Sequence, residues 1–538
     1  MLTLLFVFIL ISGAIFLISF LADISDKQFG LKTWYEKRRA SHRFFRFLSQ
    51  ISPLRPWRYM VKLAFTYRKT TAAILLLIAI HSWLHFANPY AQYTFFELPY
   101  RTHVDKDGRI QYESVYKPVV LADPLSDFLG YYRSGFLIAQ NTLIGGKPID
   151  KPTANEIIRE IHHKRFDPTK PYLISGDQFS VLYPRNLGVF YNQLLDPNTA
   201  HSQEEWENRQ RIYLQSVLFA IDGLSVGNTP KTTLVPIAPR TFVTTRVHPG
   251  DYGSDAVYGT LYALDKLATE SSSRDGTYHL QTQDAAKRIL AERMPQLQHM
   301  VRTYRDTVFD TNSGFIKTGI HLSSARDGAS RKSSFYDNVI LWKTLGLASK
   351  LGIVSVDEHA LSTYRERIKA TYWHDSKGYY QNDMYDESFS SDWLIGYVTG
   401  FFDLANTEDA ARTKRTIDYI TSNRLADPLP IKYQIGRPKD MPVAIRIFVP
   451  SYGGDAIWSY WGAEYITLLA NYAQLYDTQE YRDLAARYIE DYEKAIVRDG
   501  GFAETFNTDG QFLQAGIYKS IRITGWVVQF EHARDRMR

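Results

Sequence analysis

The chain has 538 residues, 45% hydrophobic, 14% aromatic and 22% charged, which excludes a disordered or fibrous protein and demands a large core. It has no cysteine, which excludes disulfides, thiolate zinc sites, iron-sulfur clusters and cysteine nucleophiles and leaves carboxylate, histidine, serine or arginine chemistry. The net charge of +6 would suit nucleic acid only if it were spread over the folded part, and it is not.

No charged residue occurs from Met1 to Ala22, and this Leu, Ile, Phe and Val run has the roughly 20 residues needed to cross a bilayer. Without a basic leading segment or a small-residue cleavage site, residues 1–24 read as a transmembrane anchor rather than a cleaved signal peptide. Residues 25–69 carry twelve Lys and Arg against Asp26 and Glu36, so the rest of the chain is slightly acidic and a nucleic-acid partner is not expected. A second apolar stretch, 70–90, reads as a second transmembrane helix; the competing assignment is a core helix, since His81 and His85 interrupt it. A basic loop between two spans stays cytoplasmic, which predicts a membrane protein whose C-terminal domain is extracytoplasmic. Residues 91–150 then form a lead-in segment to a domain over 151–538.

That domain repeats. A polar helix is predicted at about 154–166, then a loop ending at Pro184-Arg185-Asn186 and an apolar run from Leu187 to Leu195. The pattern recurs five times, each polar helix followed by a long loop and an apolar run. The polar helices fall at about 204–224, 281–308, 356–372, 408–422 and 479–497. The apolar runs follow Tyr252-Gly253-Ser254-Asp255, Ser334-Phe335-Tyr336-Asp337, Ser390-Ser391-Asp392-Trp393, Tyr452-Gly453-Gly454-Asp455 and Lys519-Ser520-Ile521-Arg522. In 204–224, Tyr213, Val217, Ala220 and Leu224 make one apolar stripe, as on a half-exposed outer helix, whereas the runs after the loops are apolar on nearly every side, as inner helices are. Twelve alternating helices predict an all-α (α/α)6 toroid of six hairpins; an open superhelix of helical pairs is the alternative. The long loops, rich in Gly, Tyr, Trp, Asp, Arg and His, would gather at one mouth.

Aromatic faces beside carboxylates suit sugars. Glycosidic cleavage needs an acid on the leaving oxygen and a carboxylate opposite, roughly 6.5 to 9.5 Å apart when water attacks directly and the anomeric centre inverts. The architecture over about residues 150 to 538 resembles the six-hairpin glycosidases, which include glucoamylases, trehalases and glycogen-debranching glucosidases. The last hairpin is locally similar to glucoamylases through Gly500-Gly501-Phe502-Ala503-Glu504-Thr505-Phe506 and Ile523-Thr524-Gly525-Trp526. This resemblance implies that Glu504 is the general base, although Thr505 stands where that family has Gln. The family's acid lies in Trp-Glu-Glu ahead of Gly-Ser-Ser-Phe; here Ser333-Ser334-Phe335 is present without Trp-Glu-Glu. Asp327 and Asp337 are the candidate acids, and either needs a raised pKa.

Arg185, Asp251, Asp255, Asp392, Trp393 and Asp455 are candidate sugar contacts; the Asp residues equally suit helix caps and turns, and the Trp a core. His248 and His321 belong to no metal-spaced cluster, and neither metal nor cofactor is expected. The expected function is a membrane-anchored glycoside hydrolase acting on an extracytoplasmic oligosaccharide or cell-envelope glycan. The alternatives are a catalytically silent glycan-binding or assembly protein and a polysaccharide lyase using Tyr or His with Arg.

Overall fold

The computed structural model describes residues 100–538, with interruptions at several points in 105–180 and at 239–240, 247–250, 270–275, 327–328, 330, 439–440, 442, 517 and 538. The predicted spans 1–24 and 70–90 and the basic segment between them lie outside the described residues. Among the described residues no helix is long and apolar enough to cross a membrane.

The outer layer follows the predicted polar helices. It comprises α1 (Ala154–Arg165), α2 (Gln203–Leu224), α4 (Gly276–Glu292) continued by α5 (Met294–Val308), α7 (Glu358–Tyr372), α9 (Thr407–Ser422) and α12 (Gln479–Asp499). Their starts are capped by side chains: Thr153, Ser202, Asp357 and Asn406 each accept a backbone N–H of the first turn. The stretch predicted as one helix over 281–308 breaks at Arg293, and Pro295 takes a position in the first turn of α5 that needs no N–H.

The inner layer holds α3 (Ala256–Thr269), α6 (Phe335–Lys350), α11 (Ser459–Tyr476) and α13 (Val527–Asp535). Its other two members are short. The run after Arg185 is a 3-10 turn, Pro184–Leu187, followed by further turns, because Gly188 and the aromatic and branched residues after it are poor helix formers. The run after Asp392 is a 3-10 turn, Ser391–Leu394, and one helical turn, α8 (Ile395–Val398), ended by Gly400 at φ 69°.

Contacts between inner members run in a closed circuit. The Pro184–Leu187 turn packs on α3, α3 on α6, α6 on the Ser391–Leu394 turn and α8, that turn on α11, and α11 on α13. The circuit returns to its start where Trp526, ahead of α13, stacks on Phe190 with ring centroids 5.0 Å apart, and Gln529 Nε2 donates to Asn192 Oδ1. α1 bridges the seam: it packs on α12, and its His162 reaches both Glu205 in the first turn of α2 and Glu531 in α13.

The expected all-α fold is corrected by strands that run from β1 (Tyr100–Val104) to β16 (Tyr518–Lys519). β1 pairs with β2 (Ile110–Ser114) in the lead-in segment, and β3 (Lys117–Pro118) adds to β5 (Thr241–Thr245), the partner of β4 (Thr233–Ala238). The other strands sit in the long connections that lead from an outer helix to the next inner member. These tie each loop to its neighbour: Leu182 bridges Leu234; β6 (Asp251–Gly253) pairs in parallel with β9 (His321–Ser323); Ser334 bridges Asp383. The belt continues where the Ser391 N–H donates to Tyr433 O and β13 (Ile457–Trp458) pairs with β14 (Thr505–Phe506), and it closes where Gly176 bridges Thr524. Branched and aromatic residues such as those of Thr-Phe-Val-Thr-Thr favour this pairing, and the loops are long enough to satisfy their backbone groups across the rim rather than in helices.

Candidate active site

The belt sets the side chains at the inner starts. Ser334 caps α6 and donates its hydroxyl to Asp337 Oδ2 while accepting the Asp337 N–H at 3.0 Å. Asp337 is 2% exposed, its Oδ1 has no hydrogen-bond partner among the described residues, and burial pushes its carboxyl up against the pull of Arg331. Next to it, Tyr336 donates to Asp255 Oδ2 at 3.0 Å. Asp392 Oδ2 accepts from Arg331 Nη1 and, at 2.8 Å, from Tyr433. The other Arg331 nitrogen bonds Ser324 Oγ, and Arg185 Nη1 donates to Ser324 O at 2.7 Å with its guanidinium 5.1 Å from the Tyr183 ring centre. Arg185 and Asp392 thus join one buried network through Ser324 and Arg331; the Arg331 guanidinium lies 5.7 Å from the ring of Tyr336, the partner of Asp255, and its charge acts on Asp337.

Glu504 stands on the last loop. Its carbonyl accepts from the Ser459 N–H at 3.2 Å, which fixes the loop to the start of α11, and its Oε2 accepts from Tyr518 at 2.7 Å while the side chain stays half-buried. Burial, then the Glu504 charge, holds the Tyr518 hydroxyl far above the ordinary tyrosine range, so it is a fixed donor. A chain of aromatic contacts joins Glu504 to the network. Tyr518 meets Tyr452 at 4.9 Å, Tyr452 meets Trp458 at 5.2 Å, and Trp458 meets both Tyr433 at 5.8 Å and Trp526 at 6.1 Å. The indole nitrogens of Trp458 and Trp526 and Asp455 Oδ1 are buried with no hydrogen-bond partner among the described residues. Buried polar atoms are rarely left so, and such donors and acceptors on aromatic walls match the hydroxyls and C–H faces of a sugar.

Of the other predicted residues, Asp251 is buried in β6, and Trp393 is 1% exposed and packs edge-on against Tyr397 at 5.4 Å. Asp327 and His248 lie outside the described residues. Arg331, Tyr433 and Tyr518 were not singled out by the sequence. Each falls inside a long loop with no motif around it, and only its nearness to a marker aspartate or to Glu504 hinted at a role.

No protein-family model matches the chain, and no curated protein matches it. Among solved structures it is similar to a rhamnosidase from Klebsiella oxytoca with rhamnose bound, at 14% identity and a TM-score of 0.43, over 72% of this chain and 66% of that one, just under two thirds of its length. It is similar to a cellobiose 2-epimerase from Bacillus thermoamylovorans at 11% identity and a TM-score of 0.43, over 71% of this chain and 100% of that one. A glycosidase in complex with glucose matches at 13% identity and a TM-score of 0.41, over 71% of this chain and 96% of that one.

Proposed function

We propose that the chain is a carbohydrate-active enzyme and, within that class, a glycoside hydrolase. The observation that carries this is the half-buried Glu504, oriented by Tyr518 and joined by an aromatic path to Tyr433 and Asp392 of the Arg331 network, with polar atoms of Trp458, Trp526 and Asp455 buried and unpartnered among the described residues. Glu504 takes the proton of the attacking water, and Asp337, whose carboxyl burial pushes up from the ordinary carboxylate range, delivers its proton to the glycosidic oxygen. Arg331 and Asp392 hold Asp337 in its electrostatic setting, while Trp458 and Tyr452 offer faces to the sugar ring. Membrane anchoring forms no part of this proposal.

The test is a reducing-end assay on a panel of oligosaccharides with wild type and Glu504→Gln in parallel. Loss of the base with shape preserved lowers cleavage by about two to four orders of magnitude and spares binding. Equal cleavage by both proteins discards Glu504 as the base. Glycan binding without cleavage by the wild type identifies a silent module, and products absorbing in the ultraviolet identify a lyase.

A further inference from the structure

A second cluster of chemistry lies away from the mouth, by the short connection from the first inner member to α2. Glu531 of α13 is buried, and its two oxygens face two imidazoles: Oε2 lies 2.5 Å from His162 Nε2, and Oε1 lies 3.2 Å from His201 Nε2. The ligand-capable atoms of these three residues all lie within 4.8 Å of one another. We propose that His162, His201 and Glu531 bind a divalent cation of the zinc class, which staples the first hairpin to the last.

Four features carry this. Two imidazole nitrogens and one carboxylate oxygen are a donor set that zinc accepts and that magnesium and calcium, which prefer oxygen, do not. With zinc–ligand bonds near 2.0 to 2.2 Å, tetrahedral ligands stand about 3.3 Å apart. The His201 Nε2–Glu531 Oε1 pair already has that spacing, the His162 Nε2–Glu531 Oε2 pair is tighter, and all the ligand atoms fall within 4.8 Å of one another, so small side-chain shifts complete the set. The far nitrogen of His162 has an outer-shell carboxylate beside it: Glu205 Oε1 lies 2.9 Å from Nδ1, which turns Nε2 toward the proposed metal position. Arg209 Nη2 lies against both Glu205 Oε1 and His162 Nδ1, and its charge balances Glu205. Finally, His201 is 35% exposed, which gives the ion an entry and a water its fourth place.

The charge balance also fits. Without metal, His162 Nε2–H faces Glu531 Oε2, and Arg534 lies 3.7 Å from Oε1. The entering cation takes the place of the Nε2 proton, which leaves to solvent, so a positive charge still faces the buried carboxylate. His162, His201 and Glu531 are 39 and 330 residues apart in sequence, with no motif spacing, so only the closed ring assembles them.

The experiment strips the full chain with a chelator, equilibrates it with micromolar zinc, and measures retained metal by mass spectrometry and the melting temperature. Wild type is expected to retain one zinc per chain and to melt several degrees higher with it, with no response to magnesium. His201→Ala, at an exposed position the fold tolerates, should lose both the metal and the shift, whereas His163→Ala, next to the cluster and solvent-facing, should keep both. A wild type that retains no zinc, a His201→Ala protein that retains as much, or an equal response to magnesium overturns the proposal. Neither readout involves glycan cleavage, so the result is independent of the proposed hydrolysis.

Discussion

At the residue scale, a half-buried acid stands outside both sites. Glu464 of α11 lies among Asn192 and Tyr460, and burial raises its carboxyl to about 7. A carboxyl raised in the folded state favours the fold at low pH, where it is neutral, and that advantage is lost as pH rises through its folded value. The melting temperature of the wild type should therefore fall as pH rises through about 7, and Glu464→Gln should flatten that fall. An unchanged slope would mean that the carboxyl stays neutral or is paired by other means. Asp337 has the same sign: Asp337→Asn should leave the fold intact, remove the loss of stability at higher pH, and abolish cleavage. The loop place of Glu504 and the position of Asp337 in the first turn of an inner helix were legible in the sequence, because glycines and caps mark where helices begin. The partners were not. Arg331 reaches Asp392 across 61 residues and Tyr433 reaches it across 41, and no local pattern encodes such distances.

At the element scale, the outer helices were readable because half-exposed helices carry a 3.6-residue stripe, although α2, whose stripe was read as the mark of a half-exposed helix, is buried on nearly every side from Arg209 to Leu224. The inner members were less so, because a fully buried apolar run has no periodicity to separate helix from turn. Leu187 to Leu195 and Leu394 to Leu404 were such runs, and glycine cut both short. Gly259 shows how tightly these pieces meet: a Cβ there would stand 2.1 Å from Pro184 O and 2.9 Å from Arg185 Cα. Gly259→Ala should force α3 from the Pro184–Leu187 turn and destabilise by about 1 to 3 kcal/mol in urea unfolding, more than an alanine gains in a helix. Because Arg185 moves with that turn, sugar affinity should fall as well.

At the scale of the whole molecule, the twelvefold alternation pointed to a ring, whereas the rim's strands were hidden in segments two to six residues long whose pairing partners lie on other hairpins. An open superhelix tolerates loss of a terminal repeat, since each unit contacts only its neighbours. Here the last element packs on the first, so deletion of residues 526–538 should remove the Phe190–Trp526 stack and the Glu531 contacts and abolish cooperative melting of the entire domain. A truncated protein that melts sharply near the wild-type temperature would favour the open form.

The hydrogen-bonded belt around the mouth has a kinetic corollary. Among the described residues, a loop segment held in this circuit cannot swing aside without breaking two seams at once. Substrate must then meet a shape that is already set. Little ordering entropy is left to lose on binding, and discrimination rests on which outline fits the opening rather than on which ligand can draw it shut. In hydrogen exchange, the amides of Leu182, Ser391 and Trp458 should therefore open together, on a single slow timescale, although each belongs to a different hairpin.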